Sequence, residues 1–290
     1  MDALVDRVMA VAGKRQGTAA ADILLCHLWP ERRSCSPALE LGGEIRANGY
    51  RSLSRGGIPR RPRHVLDFPG RIIVRLLAQQ TASGSVGHVA EIGVFEGRLL
   101  IAMALSLADG ERALAVDHFT WPDPGVRGRF EANCAAHGVP VGCVVVRQGD
   151  SRLTTPEQIM GCVGGAIRFF HIDGEHTAEH LSNDLHLAFA VMAPDGIVVL
   201  DDMLHPGYPT LALTVHTILD AHPDWQVLAI LDREDIVCAA KYVICRKPMV
   251  RHYSAWLRAE FSTYVWPMGA DFGAYKALVL TPEPRLADVG

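Results

Sequence analysis

The stretch that decides the fold is His88–Arg98, which reads HVAEIGVFEGR. A short apolar run ends at Ile92, glycines follow at Gly93 and Gly97, and apolar residues with helical spacing begin directly afterwards. A glycine just after a strand lets the backbone turn tightly and lets a ligand approach it closely. The amides at the N-terminus of the next helix would point into the same crevice. The segment therefore predicts a strand, a ligand-binding turn and a helix.

The same segment differs from the dinucleotide-binding fingerprint at Phe95. This residue stands where the second glycine of the fingerprint lets a pyrophosphate approach, so a dinucleotide would be crowded here. Glu91, which we expect to face the mouth of the crevice, would instead suit a cationic group such as the ammonium of an amino acid. A strand, turn and helix with only a structural role is the alternative.

The alternation of strands and helices continues along the chain. Strands are predicted at His88–Ile92, Ala113–Val116, Val141–Arg147, Ile167–Ile172, Ile197–Leu200, Gln226–Leu231 and Ala240–Cys245. Near-continuous apolar strands separated by helices indicate a parallel sheet that is covered on both faces. Only a short charged segment separates the last two strands, so they should be antiparallel. The predicted fold is α/β, with a doubly wound, mostly parallel seven-stranded sheet and a late antiparallel hairpin.

Three regions are expected. Residues 1–84 form an N-terminal helical extension whose segment 46–75 is rich in arginine, either as a solvated surface or as a docking patch for a phosphorylated or carboxylated substrate. Residues 85–247 form the sheet domain. Residues 248–290 form a C-terminal extension rich in aromatic residues, which pack against the sheet edge or a second subunit, or else line an acceptor pocket.

The composition is that of a soluble globular protein. The 290 residues are 49% hydrophobic and 21% charged, which is enough apolar material for a full core. With 28 basic and 32 acidic side chains, no overall field favours nucleic acid or a membrane as a partner. The seven cysteines form no CxxC pair, and the first residues do not resemble a signal peptide. We expect a cytoplasmic protein, and also a homo-oligomer, a dimer or higher.

Acidic residues follow the second and third predicted strands. Asp117 and His118 come about 20 residues after Gly97, an offset at which an acid typically accepts hydrogen bonds from ribose hydroxyls. Asp150 and Ser151 follow the third strand, where the acid could meet an adenine amino group. Each acid alone could cap a helix. Together they are more informative, because a doubly wound sheet brings these strand ends to one crevice.

These motifs resemble the cofactor site of class I S-adenosylmethionine-dependent methyltransferases. A second set of segments, 170–177, 183–185 and 194–203, resembles the macrocin and mycinamicin sugar O-methyltransferases, and the likeness covers about residues 85–247. The resemblance implies S-adenosylmethionine as cofactor and an O-methyltransferase that acts on a small-molecule or sugar acceptor. The implied cofactor-binding residues are Glu91, Gly93, Phe95, Gly97, Asp117, His118, Asp150, Ser151 and Asp173.

The same resemblance implies a divalent metal ion, usually Mg²⁺. Its ligands would be Asp173, Asp201 and Asp202, which are all oxygen donors, as a hard cation requires. A bound cation would offset the repulsion between these carboxylates and lower the pKa of a coordinated hydroxyl. His176 and His180 are four residues apart, a spacing also found in zinc sites, but no thiolate or third histidine stands beside them in the sequence.

The general base is either His176 or Glu175. In related methyltransferases a lysine near the reacting oxygen stands at the position of His176, and in some sugar methyltransferases the acid at the position of Glu175 is favoured. The ordinary pKa of histidine suits proton abstraction at neutral pH. Two other functions remain open: a relative that binds S-adenosylmethionine for other chemistry, as in the cephalosporin-hydroxylase branch, and a binding protein without catalysis.

Overall fold

The strand, turn and helix around Gly93 are present in the computed structural model, which describes residues 66–233 and 239–282. The helices are α1 (Phe68–Ala82), α2 (Arg98–Ala104), α3 (Val126–Ala136), α4 (Pro156–Val163), α5 (Ala178–Val191), α6 (Pro209–Ala221) and α7 (Lys247–Glu260). The strands are β1 (His88–Ile92), β2 (Ala113–Asp117), β3 (Val144–Gln148), β4 (Ile167–Ile172), β5 (Met192–Met203), β6 (Trp225–Leu231), β7 (Ala240–Arg246), β8 (Ala270–Asp271) and β9 (Lys276–Leu280). Short 3₁₀ turns lie at Ser151–Leu153 and Ser262–Tyr264.

The strands form one sheet in the order β3-β2-β1-β4-β5-β7-β6-β9-β8. Strands β1 to β5 are parallel, whereas β7 runs antiparallel to both β5 and β6. The predicted late hairpin is therefore confirmed. The strand order reverses between β1 and β4, and in open α/β sheets ligands bind outside the carboxyl ends of the strands at such a point.

Helices cover both faces of the sheet. On one face, α4, α5 and α6 pack on side chains such as Phe170, Leu200 and Ile244. On the other face, α1, α2, α3 and α7 pack on Phe169 and Val199. Adjacent residues of β4 thus enter opposite cores, because successive side chains of a strand point to opposite faces. This arrangement confirms the doubly wound fold and explains why the central strands are apolar throughout.

The sheet has nine strands in place of the predicted seven, because the C-terminal extension adds β8 and β9. Strand β9 pairs in parallel with β6, with Val279 opposite Ile230. Several aromatic residues of this extension pack on the domain: Tyr253 and Phe261 are buried. The prediction missed these strands because it assigned the aromatic tail to packing or to an acceptor pocket, and because the two-residue β8 carries little periodic signal.

The N-terminal extension predicted at 1–84 lies outside the described residues up to residue 65. Its final part forms α1, where Asp67 accepts a hydrogen bond from the Gly70 amide and Ile73 and Leu76 are fully buried against the sheet. Most of the arginine-rich segment 46–75 also lies outside the described residues. Within the part of the chain that is described, no helix is long and apolar enough to cross a bilayer.

Candidate functional site

The predicted site residues follow β1 to β5 at one edge of the sheet. Ile92 pairs with Val116 of β2 on one side and with Ile172 of β4 on the other. The turns that begin at Gly93 and Asp173 are therefore direct neighbours, and the Asp173 amide donates a hydrogen bond to the carbonyl of Ile92. The parallel register thus brings the predicted cofactor segment and the predicted metal segment together.

Gly93 and Gly97 shape the turn after β1. Gly93 has a φ of +81°, and a Cβ atom there would lie 1.8 Å from the carbonyl oxygen of Asp173. Gly97 has a φ of +86°, and its Cβ would lie 2.5 Å from the Phe130 ring. Both positions therefore require glycine for backbone conformation and for space. At Gly93 a side chain has no space because the turn that begins at Asp173 approaches so closely.

Four non-glycine residues with positive φ lie in the described part of the chain: Phe95, Phe119, Asp202 and Leu204. Phe95, Phe119 and Leu204 follow strands β1, β2 and β5, and Asp202 lies in the last residues of β5, all at the same edge of the sheet. Such conformations cost of order 1–3 kcal/mol each and cluster at functional sites. Phe95 is partly exposed, and its ring lies 5.4 Å from that of the exposed Trp121. The strain therefore marks the same edge that the sequence motifs mark.

Asp117 binds the turn after β1. Its Oδ2 accepts hydrogen bonds from the amides of Val94 and Phe95, at 2.7 and 2.8 Å, and its Oδ1 accepts one from the Phe119 amide at 2.6 Å. A carboxylate offers about four acceptor positions, so these three bonds leave capacity for a ligand hydroxyl. The predicted ribose ligand is thus also a residue that fixes the glycine-containing turn.

Asp150 and Ser151 begin the turn after β3. Asp150 accepts a hydrogen bond from the Arg152 amide and forms an ion pair with its guanidinium at 2.8 Å. The hydrogen bonds from Arg152 lower the pKa of Asp150 to about 2. Arg152 also binds Glu179 of α5 at 3.0 Å, while Ser151 is buried and His118 is exposed. Asp150 is therefore ionised and oriented at neutral pH.

Glu91 does not face the mouth of the crevice, which corrects the prediction. Its side chain is 3% exposed, and its Oε1 lies 2.8 Å from Nδ1 of the buried His171. Glu91 shares a strand face with Val89, which is covered by helices, whereas the crevice begins two residues later at Gly93. Burial, and then the Asp173 carboxylate, raises the pKa of Glu91 well above its ordinary value.

Asp173, His176 and Asp202 form a compact group with one ligand atom of each within 4.8 Å of the others. The Nε2 atom of His176 lies 2.6 Å from Asp202 Oδ2 and 3.9 Å from Asp173 Oδ1. Burial, and then the charge of Asp201, raises the pKa of Asp173 to about 7. The carboxylates of Asp173 and Asp202 raise the pKa of His176 to about 10. In the absence of another cation, His176 is therefore an imidazolium.

Asp201 does not join this group, although the sequence predicts it as a metal ligand. Its Oδ2 contacts Nζ of Lys241, and its Oδ1 accepts a hydrogen bond from the Asp202 amide. Burial alone would raise the pKa of Asp201, but the Lys241 ammonium outweighs it and lowers the pKa to about 2. Asp202 departs from regular strand geometry, with a φ of +55°, and its carboxylate lies beside His176 and not beside Lys241.

Two further features border this group. Asp184 of α5 is buried behind the turn after β4, where a Cβ on Gly174 would lie 3.1 Å from its Oδ2. Glu175, the alternative base, is exposed. On the outer side, the ring of Tyr208 lies 4.4 Å from His176 and 4.8 Å from His205. A cleft lined by carboxylates and apolar residues therefore lies next to a row of three rings.

Sequence reasoning missed His171 and Lys241. Lys241 is one of only four lysines in the chain and stands in an otherwise apolar strand, and His171 stands between Phe170 and Ile172. A lone polar residue in a buried strand is a signal for a partner on a neighbouring strand. The partner itself depends on sheet order, which one sequence does not specify.

Comparisons with known proteins agree with this architecture. Residues 90–203 match the family model described as a methyltransferase domain. The match includes β1 to β5 and the turns at their carboxyl ends. No curated protein matches the chain.

Two solved structures share the fold. An O-methyltransferase from Bacillus cereus in complex with SAH is 16% identical, with a TM-score of 0.52 over 73% of this chain and 94% of that one. Cofactor-bound Rv0187 from MTB is also 16% identical, with a TM-score of 0.51 over 81% of this chain and 99% of that one. The fold is therefore the Rossmann-like fold of class I methyltransferases.

Proposed function

We propose that the protein is an S-adenosylmethionine-dependent O-methyltransferase that acts on a hydroxyl of a small molecule or sugar and uses a divalent cation. One observation carries the proposal. The turn held by Asp117 and the group formed by Asp173, His176 and Asp202 meet where β1 and β4 lie side by side. Methyl transfer needs the donor and the acceptor hydroxyl at such a junction, because the displacement requires in-line placement.

The cofactor would bind along the turns after β1, β2 and β3. Asp117 would accept hydrogen bonds from the ribose, and the ionised Asp150 would accept one from the adenine amino group. Asp173, beside Gly93, would lie near the amino-acid end, the role that the sequence also suggested for Glu91. S-adenosylmethionine supplies a methyl group on a sulfonium, and its loss to an acceptor oxygen leaves S-adenosylhomocysteine.

The acceptor side needs a group that takes the hydroxyl proton. His176 is our candidate because its Nε2 is directed to the carboxylates of Asp173 and Asp202, at the rim of the cleft. As an imidazolium it cannot accept a proton, so the base must first become neutral. Glu175 is exposed and lies outside the carboxylate group, which makes it the weaker candidate.

A divalent cation fits the donors of this group. The carboxylates of Asp202 and Asp173 lie 2.6 and 3.9 Å from one imidazole nitrogen, so two negative groups converge at one point of the cleft. Asp173 and Asp202 would hold the cation, which would lower the pKa of a coordinated hydroxyl and leave His176 Nε2 to take its proton. Its binding would also favour neutral His176 by replacing the proton between the carboxylates.

The acceptor would lie against the row of rings at His176, Tyr208 and His205. Aromatic faces stack on planar rings and on the apolar faces of sugars. Leu204, which is 54% exposed at the same turn, adds apolar surface. This arrangement supports a ring-shaped acceptor, as in the macrocin type of sugar methyltransferase or in natural product biosynthesis.

The test is methyl transfer from methyl-labelled S-adenosylmethionine to a mixture of sugar and phenolic hydroxyl compounds, followed by mass spectrometry. We expect label on an acceptor oxygen, loss of transfer with a chelator, and recovery with Mg²⁺ or Mn²⁺. Asp202→Asn should lose most turnover, whereas Asp220→Asn, exposed at the opposite end of α6, should not. Full activity of a metal-free preparation would contradict the cation part of the proposal alone.

A further inference from the structure

Lys241 and Asp201 form a buried ion pair beneath the candidate cation group. The Lys241 side chain is 7% exposed and that of Asp201 is 18% exposed, and Nζ contacts Oδ2. Lys241 projects from β7, whose antiparallel pairing with β5 brings it beside the carboxyl end of that strand. A buried ammonium is costly unless it is paired, so this contact fixes both side chains.

The surroundings of the pair contain little that could replace either partner. His171 Nε2 lies 3.9 Å from Asp201 Oδ2, too far for a hydrogen bond, and burial, and then Lys241, lowers the pKa of His171 to about 3. Glu91 faces His171 from the other side. Asp67 and Asp173 act on Lys241 only through their charge. Lys241 is therefore the principal partner of the Asp201 charge.

The next residue along β5 points elsewhere. Asp202 has a φ of +55°, and its carboxylate meets His176, 2.6 Å away. The two neighbouring aspartates thus have separate partners, Lys241 for Asp201 and His176 for Asp202.

We propose that Lys241 is a built-in counter-cation that withholds Asp201 from a divalent metal ion, so that the metal-binding carboxylates are Asp173 and Asp202. This inference rests on the cation part of the proposed function. Lys241 is a positioning residue in this account, because it touches neither acceptor nor cofactor. The resulting ligands are two carboxylates, which suit Mn²⁺ as well as Mg²⁺.

The proposal predicts a gain of affinity from the loss of a residue. In Lys241→Met, Asp201 loses its cation and keeps the hydrogen bond from the Asp202 amide, and the negative potential at the neighbouring carboxylates increases. The variant should bind Mn²⁺ at least about tenfold more tightly than the wild type at pH 8, because a nearby positive charge has been removed. Lys241→Arg should keep the wild-type affinity. A residue with only a structural role would leave Mn²⁺ binding unchanged or weaker.

The experiment is a titration of the full chain with Mn²⁺, in which electron paramagnetic resonance measures the concentration of unbound Mn²⁺. If Lys241→Met does not fold, Asp201→Asn/Lys241→Met removes both charges together. The Mn²⁺ affinity of that double variant should lie within about threefold of the wild-type affinity. The substitutions replace two opposite charges by two uncharged side chains, so the net charge near the site is unchanged. If the double variant bound Mn²⁺ about tenfold or more weakly than the wild type, Asp201 would be shown to be a metal ligand and the proposal would be overturned.

Two other outcomes also overturn the counter-cation proposal. In the first, neither the wild type nor Lys241→Met binds Mn²⁺; in the second, both proteins bind Mn²⁺ with equal affinity. Binding of S-adenosylhomocysteine to the same preparations, measured by calorimetry, separates this failure from failure of the proposed function. Tight S-adenosylhomocysteine binding without the expected Mn²⁺ response would reject the counter-cation role and leave the methyltransferase proposal standing.

Discussion

His171 Nδ1 lies 2.8 Å from Glu91 Oε1, and both side chains are at most 3% exposed between β4 and β1. Burial raises the pKa of Glu91 well above its ordinary value and lowers the pKa of His171 to about 3. The folded pair therefore holds one proton over a wide pH range, whichever of the two residues carries it. This pair links the strand that begins the cofactor turn to the strand that leads to Asp173.

We predict that the pair's contribution to the free energy of unfolding is largest between the ordinary pKa values of 4.5 and 6.5. In that window the unfolded chain also holds one proton on these residues. Above it, the unfolded histidine loses its proton while the folded pair keeps one, so the contribution falls by up to about 1.4 kcal/mol per pH unit. Below it, the unfolded glutamate gains a proton that the folded pair does not bind, so the contribution falls again.

Urea unfolding of the wild type and of Glu91→Gln/His171→Asn at pH 5.5 and pH 8.0 measures this contribution. The stability advantage of the wild type over the variant should be smaller at pH 8.0. A larger advantage at pH 8.0 would mean that the folded pair does not retain its proton.

Gly93→Ala should destabilise the fold far more than Gly110→Ala. The two glycines have nearly the same φ, +81° and +83°, but only the Cβ at Gly93 meets backbone, 1.8 Å from the Asp173 oxygen. We expect roughly 1–3 kcal/mol more loss at Gly93, as for other overpacked sites, and displacement of the turn that carries Asp173. Thermal unfolding of both variants gives the comparison. Similar losses of stability in the two variants would show that the positive φ alone, and not the contact with Asp173, explains the requirement for glycine at position 93.

His176→Gln should lower the rate of methyl transfer by roughly 10²–10⁴-fold if the imidazole is the base. Its affinity for S-adenosylhomocysteine should stay near that of the wild type. Glu175→Gln is the matched control, and a large loss there with little at His176 would move the base to Glu175.

Tyr208→Ala should raise the KM for the acceptor and leave cofactor affinity unchanged. The Tyr208 ring lies 4.4 Å from His176, and loss of a stacking surface worth about 0.5–1.5 kcal/mol corresponds to a change of up to about tenfold. Tyr208→Phe keeps the ring and should keep the KM. Steady-state kinetics with one fixed acceptor measures both variants, and an unchanged KM in Tyr208→Ala would remove the ring row from the acceptor site.

Much of the fold could be predicted because the signals are local. The glycines of the turn after β1 and the apolar runs that became β1 to β7 specify strands, turns and the doubly wound sheet. Strands β8 and β9 were not predicted. A segment as short as Ala270–Asp271 shows almost no alternation of apolar and polar residues from which a strand could be predicted. The sequence also indicated which strand ends carry acids, since each acid directly follows an apolar run.

The direction of individual side chains could not be predicted in the same way. Glu91 and Asp201 look like ligand residues in the sequence, yet the structure directs them to His171 and Lys241 on neighbouring strands. Each outcome depends on strand order, register and alternation, which are tertiary properties. His176, which the sequence predicts as a candidate general base, lies beside the carboxylates of Asp173 and Asp202, because it follows Asp173 in the same short turn.

The central claim is that this edge of the sheet binds S-adenosylmethionine, and calorimetric titration with S-adenosylhomocysteine tests it most directly. We predict saturable binding at one site in the wild type and in Asp220→Ala. Asp117→Ala should lose about 1.5–3 kcal/mol of binding free energy, as expected for hydrogen bonds to a charged group. Absence of binding in the folded wild-type protein, or unchanged affinity in Asp117→Ala, would contradict the account.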